Sequence, residues 1–138
     1  MADAVTSQKI VDTDRKLVYK FTNISDGSGE ASVQKIDVSG LNTNSEGETC
    51  TRITLMHVWY DIGGLRVALE WDATSNVVCA VLGGSAAAGL VSGHFDFSKW
   101  GGIPNNAGSG ITGDLDLTTH GHTAHDHYTI TTEFVKSY

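Results

Sequence analysis

The sequence predicts an all-β fold, an antiparallel β-sandwich or jelly roll of eight or nine strands. Short runs of alternating apolar and polar residues recur about every 8–12 residues, as in known sandwiches. Residues that form turns separate these runs, and no amphipathic helix of useful length occurs. Strands without helices bury their apolar faces against a second sheet, so we expect two packed sheets. At 138 residues, the chain is long enough for one domain, 1–138, with its own core.

The stretch 53–74 has the strongest pattern and is expected near the middle of a sheet. Residues 65–72 alternate cleanly, which predicts a strand with one buried face. Residues 53–60 are apolar on both faces, which predicts a strand that is buried on both sides. Gly63 and Gly64, after Asp61 and Ile62, can adopt the positive φ of a tight turn. We therefore predict that the two runs pair as a hairpin.

The same alternation predicts the other elements in order. The predicted strands are 5–11, 16–24, 31–38 (with a bulge or a change of buried face), 77–82, 94–100, 111–117 and 128–134. The predicted turns and loops, rich in Gly, Ser, Asn and Asp, are 12–14, 25–29, 39–49, 83–93, 101–110 and 120–127. Because the run 77–82 is apolar throughout, we expect it to be buried.

Charge and composition argue against two classes of partner. Nine basic and sixteen acidic residues give a net charge of −7, whereas nucleic-acid affinity comes mainly from Lys and Arg. No apolar run approaches the roughly 20 residues that span a bilayer. The polar start, Met1 to Thr6, does not resemble a secretion signal, so we expect synthesis in a cytoplasm. We predict neither a nucleic-acid nor a membrane partner.

The sequence contains two cysteines, which can be either free thiols or one disulfide. Cys50 and Cys79 could form one disulfide, but two cysteines do not make a disulfide scaffold. Cys79 lies in an apolar run, where a buried and inert thiol is the favoured interpretation.

Four of the six histidines lie in one predicted turn, and this is the only cluster with ligand character. The four are His120, His122, His125 and His127. Converging imidazoles could bind zinc or nickel, with Asp126 as an oxygen ligand or supporting group. A turn that contains glycine points neighbouring side chains in different directions, so an exposed polar turn is the favoured interpretation. A symmetric oligomer could bring several copies of the cluster together at its axis.

Catalytic motifs are weak. Ser109 between two glycines lacks the strand–turn–helix context of a nucleophile elbow, and Asp114 and Asp116 are interpreted as solvated carboxylates on the exposed face of a strand. We therefore predict no enzymatic activity and no cofactor.

The three tryptophans of the chain are candidates for a binding surface and not for a catalytic site. Trp59, Trp71 and Trp100 could line a sugar platform, although core or interface anchors are the favoured interpretation. Trp100 precedes a Gly- and Asn-rich loop, which suits an anchor against another protein chain. The candidate interface residues are Trp100, Ile103, Pro104, Asn105 and Asn106.

Several segments together resemble a family of small virion proteins of tailed bacteriophages. They are 4–12, 20–30, 58–60, 69–74, 101–108, 112–114, 121–122 and 126–130, so the resemblance spans nearly the whole chain. The His-rich turn, the 42–50 loop and the Ala/Gly-rich segment 83–93 depart from the family's pattern.

The resemblance implies a capsid decoration (cement) protein. Such a protein binds the outer lattice of the phage major capsid protein, commonly as a homotrimer, and stabilises the head without catalysis. The chain would then be made in the host cytoplasm and end on the capsid surface of the virion. The alternative is a β-sandwich of the tail or fibre that binds host glycans.

Overall fold

The computed structural model describes residues 3–83 and 90–138, and its regular structure is almost entirely β-strand. Nine strands follow in chain order. They are β1 (Ala4–Asp12), β2 (Lys16–Asp26), β3 (Val33–Ile36), β4 (Arg52–Gly63), β5 (Arg66–Trp71), β6 (Val77–Gly83), β7 (Leu90–Asp96), β8 (Leu115–His120) and β9 (Ala124–Ser137). Two short 3₁₀ turns, Val38–Gly40 and Ser98–Trp100, lie in the connections.

The strands form two antiparallel sheets. The five-stranded sheet has the order β1-β2-β9-β4-β7, and the four-stranded sheet has the order β3-β8-β5-β6. Every pairing between neighbouring strands is antiparallel. The predicted all-β, antiparallel sandwich is confirmed. Its finer assignment as a jelly roll stays a prediction.

One apolar core joins the inner faces of the two sheets. The five-stranded sheet contributes side chains such as Phe21 and Phe134, and the four-stranded sheet contributes Leu69, Trp71 and Leu117. All five are fully buried. Burying a large apolar side chain stabilises the fold by about 1.5–3 kcal/mol, so this interior is the main source of stability.

The predicted central hairpin is wrong. β4 pairs with β7 and β9 in one sheet, whereas β5 pairs with β6 and β8 in the other. The link at Gly64, with φ of +82°, therefore carries the chain from one sheet to the other. Alternation of apolar residues defines which face of a strand is buried, but it does not define the strand's partner, and this is why the pattern misled.

β4 is also not buried on both faces. Its register with β9 shifts between Leu55 and His57, which is the mark of a β-bulge. Leu55 faces the core before the bulge and Val58 faces it afterwards, so His57 and Trp59 lie on the outer face. Trp59 is 39% exposed. In contrast β5, predicted to have one buried face, is buried continuously from Val67 to Leu69.

The apolar strand β6 is partly exposed, contrary to expectation. It forms the edge of the four-stranded sheet, and Val78 and Val81 are each about half exposed. Every described residue of the predicted loop 83–93 lies in a strand, because β6 ends at Gly83 and β7 begins at Leu90. The remaining part of that prediction, residues 84–89, lies outside the described residues. In the described part of the chain we find no helix with the length and apolar character needed to cross a membrane.

Candidate functional site

The first candidate surface is the 3₁₀ turn that carries Trp100. Ser98 donates to Oδ1 of Asp96 twice, from its backbone N–H at 2.9 Å and from its hydroxyl at 2.5 Å. These two hydrogen bonds lower the pKa of Asp96, and the bond from the Ser98 hydroxyl has the larger effect. The N–H of Trp100 donates to the carbonyl of Phe97, and that of Gly101 donates to the carbonyl of Ser98. This well-bonded turn leaves the Trp100 side chain 74% exposed.

The segment after Trp100 is attached to β4. Ile103 and Leu55 exchange two backbone hydrogen bonds, at 2.8 and 3.0 Å. Gly102 has φ of +92°, and a Cβ atom there would lie 2.9 Å from the carbonyl oxygen of Leu55 and 2.6 Å from Sδ of Met56. Only glycine fits this close approach, and the two hydrogen bonds between Ile103 and Leu55 hold the backbone that leaves Trp100 against β4. Trp100 is thus an exposed aromatic ring on a fixed support.

The five predicted interface residues do not share one environment. Trp100, Pro104 and Asn106 are exposed, and Ile103 is half-buried against the core. Asn105 is only 6% exposed, and its Oδ1 accepts a hydrogen bond from the N–H of Ala107 at 3.0 Å. The assignment of Asn105 to the interface is therefore corrected: its amide shapes the loop from inside and is not available to a partner.

The four clustered histidines point to different neighbours. The ring of His122 lies over Gly29, with Nδ1 at 3.3 Å from Oγ1 of Thr119, whereas the ring of His127 lies over Gly63. His120 and His125 are exposed. Among residues 3–83 and 90–138, no three or more His, Cys, Asp or Glu side chains are placed to hold a metal ion. The described part of one chain therefore does not bring together the four histidines that were the alternative, less favoured metal ligands.

Asp114 and Asp116 are buried, so their interpretation as solvated carboxylates is wrong. Asp114 accepts hydrogen bonds from the N–H of Val38 at 2.9 Å and from Nε2 of Gln34 at 2.8 Å. Asp116 accepts one from Nδ2 of Asn76 at 3.0 Å. Burial raises the pKa of both carboxyl groups, that of Asp116 to about 6. These carboxylates bind neighbouring segments of the chain, which local alternation could not reveal.

A buried polar cluster between the sheets has the residue types of a catalytic site. Nζ of Lys35 lies 2.5 Å from Oε2 of Glu30, and the hydroxyl of Tyr128 donates to Oε1 of Glu30 at 2.6 Å. Nδ2 of Asn23 donates to the same Oε1 at 2.7 Å. Burial, and then the bond to Glu30, raise the pKa of Tyr128 well above its usual range. All four side chains are at most 8% exposed, so the cluster joins structural elements and offers no open surface.

A stack of three rings on the outer face of the five-stranded sheet was missed by the sequence analysis. The rings of Trp59 and His94 are parallel to within 1°, with centroids 4.8 Å apart. His57 stacks on both, at 5.3 Å from each. Its Nδ1 lies 3.0 Å from Nε2 of His94, so the two imidazoles share a hydrogen bond. The β4 bulge and the pairing of Trp59 with His94 create this stack, and neither feature is visible in local sequence.

The stack borders an open groove of about 350 Å³. Among the three rings, only that of Trp59 lines this groove. Tyr60 and Gly93 also line the groove. Polar side chains on three adjacent strands form the rest of the lining: Asp61 on β4, Ser92 on β7, and Thr129 and Thr131 on β9. Asp61 is the cross-strand neighbour of both Ser92 and Thr129, so these groups form one row on the sheet. The groove is shallow and open to solvent, with the Trp59 ring at one side and hydroxyl and carboxylate groups beside it.

Neither cysteine has the environment of a reactive nucleophile. Both are free thiols; Cys50 is buried, and burial raises the pKa of Cys79 to about 12, so its reactive thiolate form is suppressed at neutral pH.

Comparison of the chain with family models, with curated proteins and with solved structures gave no match.

Proposed function

We propose that this chain is a non-enzymatic docking protein that binds a protein partner through the Trp100 turn. The observation that carries the proposal is the exposure of Trp100, at 74%, on a backbone fixed by hydrogen bonds. Interfaces concentrate their binding energy in a few aromatic anchors, with Trp the most enriched residue type. An anchor that is already held in place loses little conformational freedom on binding, so more of its contact energy contributes to affinity.

The sequence resemblance supplies the identity of the partner in this proposal. In this proposal the chain acts as a capsid decoration protein, and its partner is the outer lattice of a phage major capsid protein. Trp100 would enter a pocket of that lattice, and the exposed neighbours Pro104 and Asn106 would form the rim of the contact. Because such a protein binds the assembled lattice and not the free subunits, it stabilises the head by mass action.

The resemblance also proposes a homotrimer. A decoration protein placed over a local three-fold axis of the lattice can bind all surrounding capsid subunits equally when it is itself a closed three-fold assembly. Size-exclusion chromatography with light scattering tests this point separately, since a monomeric mass in solution contradicts a stable trimer but leaves lattice binding open to the next experiment.

Binding to heads tests the docking site. Purified protein is mixed with phage heads that lack it, and the bound fraction is measured by co-sedimentation. We expect Trp100→Ala to weaken binding by at least about 30-fold, the equivalent of a 2 kcal/mol hot spot. Pro104→Gly should weaken it less. The matched control is Ile24→Ala, which removes another exposed apolar side chain (60%) from β2 and should bind as the parent does.

Two outcomes would contradict the proposal. If the parent protein does not bind heads, the capsid assignment fails. If the parent binds and Trp100→Ala binds equally well, the Trp100 turn is not the docking site. Thermal unfolding of each variant confirms that the comparison is made between folded proteins.

A further inference from the structure

We infer that the groove beside Trp59 is a binding site for a neutral saccharide. The inference does not rest on the proposed docking function, because the groove lies on the outer face of the five-stranded sheet and includes no residue of the Trp100 turn. Its volume of about 350 Å³ falls at the lower end of the range for small-molecule sites, which suits a short saccharide.

The aromatic wall is held in a fixed orientation. Trp59 stacks in parallel on His94, and His57 stacks on both rings. The imidazoles are themselves joined at 3.0 Å. Since neither histidine lines the groove, they support the indole while it borders the open space. The indole of Trp59 remains 39% exposed.

The polar lining complements a sugar. A pyranose has a face of C–H groups, which packs on the electron-rich face of an indole, and a rim of hydroxyl groups. The hydroxyls of Ser92, Thr129 and Thr131 can each donate and accept, and the carboxylate of Asp61 accepts strongly from hydroxyl donors. The side chains of Asp61, Ser92 and Thr129 are exposed and that of Thr131 is half-buried, so a ligand in the groove can reach these groups.

The charge of the groove selects among sugars. It has one carboxylate and no Lys or Arg in its lining, and the chain carries a net charge of −7. An anionic saccharide would place its carboxylate or sulfate in this negative field without a cationic partner, which is unfavourable. A neutral hexose is therefore the class that fits.

NMR titration tests the inference directly. The chain has three indole N–H groups, and the variants Trp59→Phe and Trp100→Ala assign their resonances. Lactose, maltose and cellobiose are titrated to millimolar concentrations, with sialyllactose as the anionic comparison, and an array of neutral glycans extends the search. We expect at least one neutral saccharide to shift the Trp59 indole and the amides of Ser92 and Thr129.

Variants distinguish this site from the docking turn. Trp59→Ala should abolish the saccharide shifts, and Asp61→Asn, which keeps the shape of the side chain, should weaken binding about 10-fold by removing hydrogen bonds to a charged acceptor. Trp100→Ala should bind the saccharide as the parent does, even though it loses binding to heads. Conversely, Trp59→Ala should still bind heads.

Three results would overturn the inference. They are the absence of binding by every neutral saccharide and glycan, equal binding by the parent and both groove variants, and tighter binding of sialyllactose than of any neutral sugar.

Discussion

Lys136 and Asp12 form an ion pair inside the protein, with Nζ 2.6 Å from Oδ1. Their side chains are 0% and 4% exposed. The same ammonium donates to the backbone carbonyls of Thr13 at 2.9 Å and of Asn42 at 2.8 Å. The end of β9 is thereby attached to the end of β1 and to the 42–50 loop, and every proton of the ammonium has an acceptor.

Lys136→Met should destabilise the protein by about 3–5 kcal/mol, because it leaves the Asp12 carboxylate buried without its main counterion. Urea unfolding at pH 7 measures the free energy of unfolding. The control is Lys16→Met, whose ammonium is exposed and lies 3.9 Å from Glu133; this surface pair should contribute less than about 1 kcal/mol. If both variants lost the same free energy of unfolding, the buried ion pair would contribute no more to stability than the surface pair.

The same pair predicts an acid dependence of stability. Burial opposes ionisation of Asp12, but hydrogen bonds from the N–H of Asn42 and from Lys136 and Lys9 outweigh it and lower its pKa. A lowered carboxyl pKa stabilises the fold above the unfolded value of about 3.9, and this contribution is lost as the pH falls through the folded pKa. The stability difference between the parent and Lys136→Met should therefore shrink below about pH 4. A constant difference from pH 7 to pH 3 would contradict this account.

Asp116 should show the opposite dependence. Burial is the main cause that raises the pKa of Asp116 to about 6. The hydrogen bond from Asn76 opposes this rise, whereas the negative charges of Asp72 and Glu70 add to it. A raised carboxyl pKa means that the folded protein holds the proton more tightly, so stability falls as the pH rises from about 4 and levels off above about 6. Asp116→Asn removes the charge and should stabilise the fold by about 1–2 kcal/mol at pH 7. The gain should vanish near pH 4, which thermal unfolding at both pH values can check.

The parts of the fold that could be predicted are those in which alternation is uninterrupted. The predicted strands 16–24 and 128–134 lie within β2 and β9. The alternating apolar residues Leu17, Phe21, Tyr128, Ile130 and Phe134 are buried, and Tyr19 is half-buried against the same core. In these strands each local choice of residue agrees with the sandwich, so the pattern determines which face is buried.

The candidate groove could not be predicted because it depends on a bulge. The run 53–60 is apolar in both registers, so nothing local marks the shift at Met56 that changes the face of every later residue. Without that shift, Trp59 would point inward like Leu55. The partner of Trp59, His94, is set by strand pairing between residues 35 positions apart in the chain. Asp114 and Asp116 were misjudged for a related reason, since their donors come from Gln34 and Asn76 in distant segments.

Gly102→Ala should displace the Trp100 turn. The new Cβ would press on the carbonyl oxygen of Leu55, a backbone atom that cannot rotate away, and alanine is strained at a φ of +92°. We expect a loss of about 1–3 kcal/mol in the free energy of unfolding and weaker binding to heads. Gly101→Ala is the matched control: its φ is +80°, but its Cβ would meet nothing within 4 Å. If both variants lose the same stability, the close approach to Leu55 is not the cause.

Trp71→Ala should lower the free energy of unfolding much more than truncation of either exposed tryptophan does. Trp71 is fully buried in the core at the end of β5, so truncation leaves a cavity that the surrounding side chains fill only in part. The expected cost is about 3–5 kcal/mol. Trp59→Ala and Trp100→Ala remove rings that already contact solvent, and each should cost less than about 1.5 kcal/mol. Denaturant titrations followed by far-UV circular dichroism give all three values on one scale. A loss at position 100 as large as that at position 71 would mean that the Trp100 ring supports the fold and is not a free anchor.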